Sequence, residues 1–223
     1  MNLRCVLDIP RDCATNIAID EVFFTKENFE NIFRFYKWTD KAYTIGYFQQ
    51  FPIDKQDAYP VIRRITGGLS VLHDTDLSYS LIVSNDIWPY IYDQEKTYKN
   101  VHGNIKKALE SIDIFCDKTF VESNNLKNYS CVKTLYKDDL LLNGEKIVGS
   151  CQRRRGKKIL VEGTIHLSFT QEQTKIFANE FFKNLSEMLK CDITINSLTE
   201  EEINSANKLC KEKYKTDEWN KLF

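Results

Sequence analysis

The sequence Asp139-Leu-Leu-Leu-Asn143-Gly144-Glu-Lys146-Ile-Val predicts a tight β-hairpin. Asn-Gly adopts the left-handed dihedral angles that a two-residue hairpin turn requires, and apolar runs flank it on both sides. Pairing across this turn places Lys146 opposite Leu141, so its ammonium group occupies a defined face of a rigid ribbon. The hairpin therefore predicts a sheet that carries a lysine at a fixed position.

Other parts of the chain predict further strands and several helices. Aromatic and β-branched residues mark strands, and apolar residues at helical spacing mark a helix over about Glu95–Ile112. Two closing helices begin with capping boxes at Thr170 and Thr199, and an opening helix is expected near Asn16. Strands and helices do not alternate regularly, which indicates an α+β fold with a mixed, largely antiparallel sheet flanked by helices. The predicted strands are Arg4–Leu7, Ile32–Trp38, Tyr43–Phe48, Pro60–Thr66, Ser78–Val83 and Ile159–Leu167.

Length and composition restrict the class of protein. The 223 residues, 42% of them hydrophobic, predict one domain over residues 1–223 without an accessory C-terminal domain. A formal net charge of −1 does not favour nucleic acid or an anionic membrane as a partner. The first residues lack a secretory signal, so we expect a cytoplasmic protein with reduced cysteines. The seven cysteines form no CxxC motif, and we expect no bound metal.

A glycine pair lies between two apolar runs in the segment Arg63–Asp74. Gly67 and Gly68 lack side chains, so a ligand can approach the backbone N–H groups there. Arg64 offers a planar fork of donors that suits a phosphate or a carboxylate. An ordinary turn between two strands, with solvated arginines, explains the same pattern equally well. His73, at the end of the segment, has the ordinary interpretation of a hydrogen-bonded structural histidine.

Lys146 and Cys131 are the candidates for acyl-transfer chemistry. Lys146 either extends to solvent or presents its charge to a bound anion or carbonyl, and Gly149 keeps the neighbouring backbone accessible. Cys131 precedes Lys146 by fifteen residues, and nearby lysines favour the thiolate form that acts as a nucleophile. Such a cysteine exchanges one thioester for another before the acyl group passes to an amine. The sequence does not establish that the two residues meet.

A basic segment, Arg153–Lys158, contains five cations around one glycine. It is either a solvated hairpin tip or a docking patch for an acidic protein partner.

Taken together, these motifs resemble the biotin/lipoate protein ligase superfamily, in its branch of lipoate ligases and octanoyltransferases. Arg63–Asp74 is similar to the family's arginine-arginine-x-(serine/threonine)-glycine-glycine loop, which ends in histidine-aspartate. Lys146–Gln152 is similar to its lysine-x-x-glycine-serine-x-glutamine segment. Two positions depart from the pattern: Cys151 stands where alanine is usual, and Glu162 replaces the histidine of a histidine-glycine pair. Cys151 is then either a redox partner of Cys131 or a space-filling residue.

The resemblance implies a site and its residues. Lys146 would contact an acyl carbonyl or an adenylate phosphate. Cys131 matches the position of the nucleophile in cysteine-dependent octanoyltransferases. The fold implied is the large domain of a lipoate ligase, with an acyl tunnel that opens at the glycine loop. Its substrate-binding residues would be Arg64, Gly67, Gly68, Ser70, Val71, His73, Gly149 and Thr164.

The resemblance also implies an activity and leaves alternatives open. The leading hypothesis is transfer of an octanoyl or lipoyl group from octanoylated acyl carrier protein, through Cys131, to a lysine of a lipoyl domain or of the glycine-cleavage H protein. This transferase would need no cofactor. The alternative is a lipoate–protein ligase that uses ATP and Mg and dispenses with Cys131. A third hypothesis is an acyl-binding protein without turnover.

Overall fold

The computed structural model describes residues 2–27, 29–120 and 134–223 of the chain. Its strands, in chain order, are β1 (Asn2–Leu7), β2 (Ile32–Tyr36), β3 (Ala42–Ile45), β4 (Val61–Arg63), β5 (Val71–His73), β6 (Leu77–Ser84), β7 (Asp117–Lys118), β8 (Leu140–Leu142), β9 (Glu145–Arg155), β10 (Lys158–Ile165) and β11 (Asp192–Ile195). Its α-helices are α1 (Cys13–Thr25), α2 (Gln94–Glu110), α3 (Gln171–Leu189), α4 (Glu200–Leu209) and α5 (Asp217–Asn220).

Within the described residues, the strands form a large sheet and a small one. The large sheet has the order β11-β1-β2-β6-β10-β9-β8-β7, and the small sheet has the order β4-β3-β5. In the large sheet β1 runs parallel to β2 and β11, whereas the other neighbouring strands are antiparallel. This arrangement confirms the predicted α+β class with a mixed, largely antiparallel sheet.

Both faces of the large sheet are covered by helices, and β2 shows why. Its five residues are all buried, and alternate side chains of a strand point to opposite faces. Phe33 and Phe35 join the core that includes residues of α2 and α3, whereas Ile32 and Tyr36 join the core that includes residues of α1 and α4. The strand is therefore buried on both of its faces.

The Asn-Gly hairpin forms with the predicted register. Asn143 and Gly144 have φ values of 51° and 82°, and Leu141 pairs with Lys146 across the turn. Both predicted capping boxes, at Thr170 and Thr199, are also present.

Helix α1 begins earlier than we predicted. The carboxylate of Asp12 accepts a hydrogen bond from the backbone N–H of Thr15, so the helix starts at Cys13 rather than near Asn16.

Arg63 belongs to the fold rather than to a solvated turn. It is fully buried, and its guanidinium donates hydrogen bonds to the backbone oxygens of Gly46, Tyr47, Gln49 and Asn220. These bonds connect the end of β3 to the C-terminal helix α5. The interpretation of two solvated arginines is therefore wrong for Arg63.

Candidate acyl-binding site

A cavity of about 320 Å³ lies between the small sheet and inner strands of the large sheet. Its volume falls in the range of small-molecule sites in proteins. The loop that follows β4 forms one wall, and residues of β9 and β10 form another. Among the residues predicted to bind substrate, those that line the cavity are Arg64, Gly67, Gly68, Val71, His73, Gly149 and Thr164.

Two of the predicted site residues that the structure describes do not line this cavity. Ser70 is buried and is absent from the lining. Lys146 is buried beside the cavity wall, and its neighbour Tyr136 lines the cavity in its place. Cys131, the predicted nucleophile, lies outside the described residues.

The two glycine positions of the loop differ in whether they could accommodate a side chain. Gly68 has a φ of 88°, which favours glycine, and a Cβ there would lie 3.1 Å from the guanidinium of Arg64 and 3.2 Å from the Cβ of Cys151. A Cβ on Gly67 would meet nothing within 4 Å. The loop conformation therefore requires glycine at position 68. At position 67 the space beside the backbone is open.

Arg64 holds the glycine loop together. The side chain is 4% exposed, and its guanidinium donates to the hydroxyls of Thr44 and Thr66 and to the backbone oxygens of Gly67 and Leu69. These bonds are directed at the protein, which differs from the expected fork toward a ligand phosphate or carboxylate. Arg64 nevertheless lines the cavity and supplies a buried positive charge there.

His73 and Trp38 form one wall of the cavity. Their rings stack with centroids 3.9 Å apart, and Asp76 accepts hydrogen bonds from His73 Nδ1 and Trp38 Nε1, each at 3.0 Å. Burial favours the neutral form of Asp76, but the hydrogen bond and charge of His73 outweigh it, and the pKa of Asp76 is lowered. The structure thus places His73 in the cavity wall, and its part in substrate binding stays a prediction.

Lys146 forms a buried ion pair. Its Nζ lies 2.7 Å from a carboxylate oxygen of Asp139, with side-chain exposures of 1% and 4%, and it donates a hydrogen bond of 3.0 Å to the backbone oxygen of Thr134. The interpretation in which Lys146 extends to solvent is wrong. The lysine fixes the segment 134–139, which directly follows the region that contains Cys131.

A chain of hydrogen bonds crosses the cavity wall at Ser150. The backbone oxygen of Asp138 is 2.7 Å from His102 Nδ1 and can only accept, so Nδ1 carries the proton. Burial lowers the pKa of His102 to about 4, which keeps the ring neutral. Its Nε2 therefore accepts a hydrogen bond from Ser150 at 2.6 Å, and Ser150 accepts one from Tyr79 at 2.5 Å. The sequence suggested no more than a structural role for His102.

Glu162, Thr66 and Cys151 form a second polar group in the wall. Thr66 donates a short hydrogen bond to the Oε2 of Glu162, and the thiol of Cys151 donates one of 3.2 Å to Thr66. Burial, together with the charge of Asp20, raises the pKa of Glu162 to about 7. Burial also raises the pKa of Cys151, although the charge of Arg64 opposes this shift.

Cysteine usage follows the expected pattern for the described thiols. Cys151 is partly exposed, whereas the other five described cysteines are buried. Five of the seven cysteines are therefore small buried residues. The buried ones are Cys5, Cys13, Cys116, Cys191 and Cys210.

The basic segment forms the β9–β10 turn, and two of its arginines donate hydrogen bonds to the backbone of neighbouring segments. Arg153 donates to the backbone oxygen of Ile65 and Arg154 to that of Ile91. Arg155 and Lys157 are exposed. Arg153 is exposed as well, and the choice between a solvated hairpin tip and a docking patch for this segment stays a prediction.

The chain matches one protein-family model over residues 12–220, that of the lipoyl protein ligase A/B catalytic domain. The chain belongs to this family. Among its relatives, Octanoyltransferase LipM of Brevibacillus brevis is 28% identical over 93% of this chain and 94% of its own length. Octanoyltransferase LipM of Anoxybacillus flavithermus is 30% identical over 93% of both chains. The predicted superfamily is therefore confirmed.

Solved structures show the same fold at lower sequence identity. A lipoate-protein ligase A bound with ATP has a TM-score of 0.78 and 23% identity, with complete coverage of both chains. The bipartite lipoate protein ligase of Thermoplasma acidophilum has a TM-score of 0.75 and 22% identity, over 100% of this chain and 98% of its own. The lipoyl ligase fold is thus established for this chain.

Sequence reasoning missed four residues of this lipoyl ligase fold that shape the cavity. Asp76 follows the recognised histidine-aspartate pair by two residues. No pattern in the sequence predicted that this acid is buried. Ser150 lay inside the recognised lysine segment, whereas His102 reaches it from α2, 48 residues away. Glu162 was visible only as a departure from the family pattern.

The described residues contain neither a cluster of metal-binding side chains nor a membrane-spanning helix. In residues 2–27, 29–120 and 134–223, no group of three or more His, Cys, Asp or Glu residues could hold a metal ion. No helix in the same part of the chain is long and apolar enough to span a bilayer.

Proposed function

We propose that this protein is an octanoyltransferase that acylates a specific lysine of a lipoyl-domain carrier protein. The observation that carries the proposal is the cavity beside the glycine loop, which borders the strand of a buried lysine in a chain related over most of its length to octanoyltransferases. The volume and the buried walls fit an acyl chain better than a nucleic acid or a peptide.

The proposed donor is octanoylated acyl carrier protein, and the proposed nucleophile is Cys131. Its thiolate attacks the thioester carbonyl, the bond from this carbonyl to the sulfur of the carrier breaks as the new thioester forms, and the departing thiolate takes up the proton that Cys131 released. The amine of the acceptor lysine then attacks the acyl-cysteine. The C–N bond forms, the bond to sulfur breaks, and the amine proton passes to the departing thiolate.

Chain connectivity supports the pairing of Cys131 with Lys146. Thr134 follows Cys131 by three residues, and three extended residues span at most about 11 Å. The ammonium of Lys146 donates to the backbone oxygen of Thr134. An ammonium at that position lowers the pKa of a nearby thiol and stabilises an oxyanion that develops on the acyl carbonyl.

The acceptor class follows from the family and from the related ligases. One structural neighbour was solved in a study of a lipoate ligase and its E2 lipoyl domain. We propose a lipoyl domain or the glycine-cleavage H protein as the acceptor. The exposed Arg155 and Lys157 near the β9–β10 turn offer a small cationic surface to an acidic carrier.

The test compares two donors with one purified acceptor lipoyl domain. Octanoyl-acyl carrier protein without ATP should acylate the acceptor, whereas free octanoate with ATP and Mg should not. The opposite result would establish the lipoate ligase. Binding of octanoyl groups without transfer from either donor would establish the acyl-binding protein. Lipoyl donors in the same assay measure the preference between octanoyl and lipoyl groups.

A further inference from the structure

The side chain of Gln152, on β9, lines the cavity with its amide group unpaired. Both amide atoms, Nε2 and Oε1, are buried and have no hydrogen-bond partner in the part of the chain that the structure describes. The hydroxyl of Tyr98 approaches this amide, but no hydrogen bond of normal geometry joins them. A buried amide without partners is unfavourable, so Gln152 is a candidate to bind a ligand group that both donates and accepts hydrogen bonds.

Arg154, two residues further along β9, also lines the cavity with an unpaired donor. Its Nε donates to the backbone oxygen of Ile91, whereas its Nη2 is buried and has no partner within the described residues. The charge of the nearby Asp93 is engaged by Lys96, with which it forms an ion pair. A guanidinium with a free donor in a cavity wall suits an anion, and a phosphate in particular.

The two side chains lie where the cavity approaches the surface. Gln94 and Gly68 are the exposed residues of the lining, so the cavity opens between the start of α2 and the glycine loop. Tyr98 lies near both Gln94 and Gln152, which places Gln152 on the α2 side of this opening. Arg154 directly precedes the exposed β9–β10 turn. The lining residues in the interior include Ile17, Tyr36 and Trp38.

The spacing of the two side chains matches a phosphopantetheine arm, the thiol-ending group on which a carrier protein holds its acyl chain. Ser150, Gln152 and Arg154 alternate along β9 and all approach the segment 91–102, so their side chains share one face of the strand. Two strand residues span about 7 Å. In the arm, the phosphorus lies five bonds beyond the carbonyl carbon of the nearer amide, which is roughly 6–7 Å in an extended chain.

We propose that Gln152 and Arg154 bind the phosphopantetheine arm of the acyl donor. The amide of Gln152 pairs with the amide of the arm that is nearer to the phosphate, and Nη2 of Arg154 donates to the phosphate. A secondary amide offers one donor and one acceptor, which complement the two unpaired atoms of Gln152. This inference rests on the proposed function, because it assigns the part of the donor that the same site recognises.

The experiment compares three octanoyl thioesters as donors for the full chain, with one purified acceptor lipoyl domain. The N-acetylcysteamine thioester has only the amide nearer to the sulfur, the pantetheine thioester adds the second amide, and the phosphopantetheine thioester adds the phosphate. The amide ratio is the kcat/KM of the second donor divided by that of the first, and the phosphate ratio is that of the third divided by that of the second. Each ratio is independent of the fraction of folded enzyme, because it is taken within one protein.

The four proteins are the parent, Gln152→Met, Arg154→Met and, as a control, Lys107→Met at an exposed position on α2. We expect an amide ratio of about ten in the parent, the value of two hydrogen bonds, and a phosphate ratio of at least about ten, the value of a charged one. Gln152→Met should lose most of the amide ratio and keep the phosphate ratio. Arg154→Met should show the reverse, and the control should keep both ratios.

Either of two results would overturn the inference: a parent amide ratio in Gln152→Met, or a parent phosphate ratio in Arg154→Met. A parent enzyme that transfers the octanoyl group neither from these donors nor from octanoyl-acyl carrier protein would contradict the proposed function instead. Calorimetric binding of pantetheine and phosphopantetheine to the same four proteins then decides the inference. Gln152→Met should bind both compounds more weakly than the parent, and Arg154→Met should lose the preference for the phosphorylated one. Parent-like binding by either variant would count against the inference.

Discussion

The ammonium of Lys146 lies 2.7 Å from the carboxylate of Asp139, and both side chains are almost completely buried. Burial raises the pKa of Asp139, and the charge of Lys146 opposes the shift. A buried ion pair holds its two charges in position but contributes little net stability compared with apolar residues. The pair therefore holds the lysine in position and adds little net stability.

Asp139→Asn should destabilise the protein by about 3 kcal/mol, because it leaves the buried charge of Lys146 without its partner. Urea unfolding measures this change. The matched control is Glu95→Gln, whose ion pair with Lys137 is exposed and contributes about 1 kcal/mol or less. Similar losses in the two variants would contradict the buried character of the Lys146–Asp139 pair.

Lys146→Ala should lower turnover in the transfer assay at least about tenfold, or about 1.4 kcal/mol of barrier. The physical reason is the loss of the ammonium that stabilises negative charge on the acyl carbonyl. Lys183→Ala, at an exposed position on α3, is the control and should retain full activity. Unchanged turnover in a folded Lys146→Ala protein would remove the lysine from the proposed mechanism.

The glycine loop gives a paired prediction. Gly68→Ala forces a side chain into a positive-φ position and against Arg64 and Cys151, so we expect a loss of about 1–3 kcal/mol in unfolding free energy. Gly67→Ala meets no atom within 4 Å and should leave stability nearly unchanged. A lower affinity for octanoyl groups in Gly67→Ala, at parent stability, would show that the acyl chain approaches the backbone there. Equal stability of the two variants would contradict the loop geometry.

Glu162 predicts a dependence of stability on pH. Its pKa is raised to about 7 in the folded protein, whereas glutamate in an unfolded chain titrates near about 4.3. Between these values the folded state keeps a proton that the unfolded state has released, so this residue makes stability fall as the pH rises through that window. Glu162→Gln lacks the titration. Its Tm relative to the parent should therefore increase between about pH 5 and about pH 8.

The control for this pH dependence is Glu187→Gln, at an exposed position on α3. Its Tm difference from the parent should be the same at both pH values. A Tm difference for Glu162→Gln that is equally independent of pH would contradict the raised pKa.

The correct predictions of the fold came mostly from local sequence patterns. The Asn143-Gly144 turn and the two capping boxes are decided by residues adjacent in sequence, and all three formed as predicted. The start of α1 was missed because an aspartate, Asp12, caps the helix earlier than the apolar pattern begins. The recognised motifs also contained most of the residues that line the cavity.

The features that could not be predicted from the sequence depend on contacts between residues far apart in the chain. Arg63 is buried because the backbone of a C-terminal helix more than 150 residues away accepts its hydrogen bonds. The pairing of His102 with Ser150 joins a helix to a strand, and no local pattern encodes that contact. Glu162 becomes a polar group of the cavity only when β10 places it beside Cys151 and the loop brings Thr66 against it. The role of Cys131 stays a prediction.

The central claim is that the octanoyl group passes through a cysteine of this protein to the acceptor. The most direct measurement is the intact mass of the enzyme after incubation with octanoyl-acyl carrier protein, before and after addition of the lipoyl domain. We expect one octanoyl group on Cys131, absent from Cys131→Ser, that moves to one lysine of the acceptor without ATP. An acceptor that becomes octanoylated while the enzyme carries no acyl group, or undiminished transfer by Cys131→Ser, would contradict the covalent route.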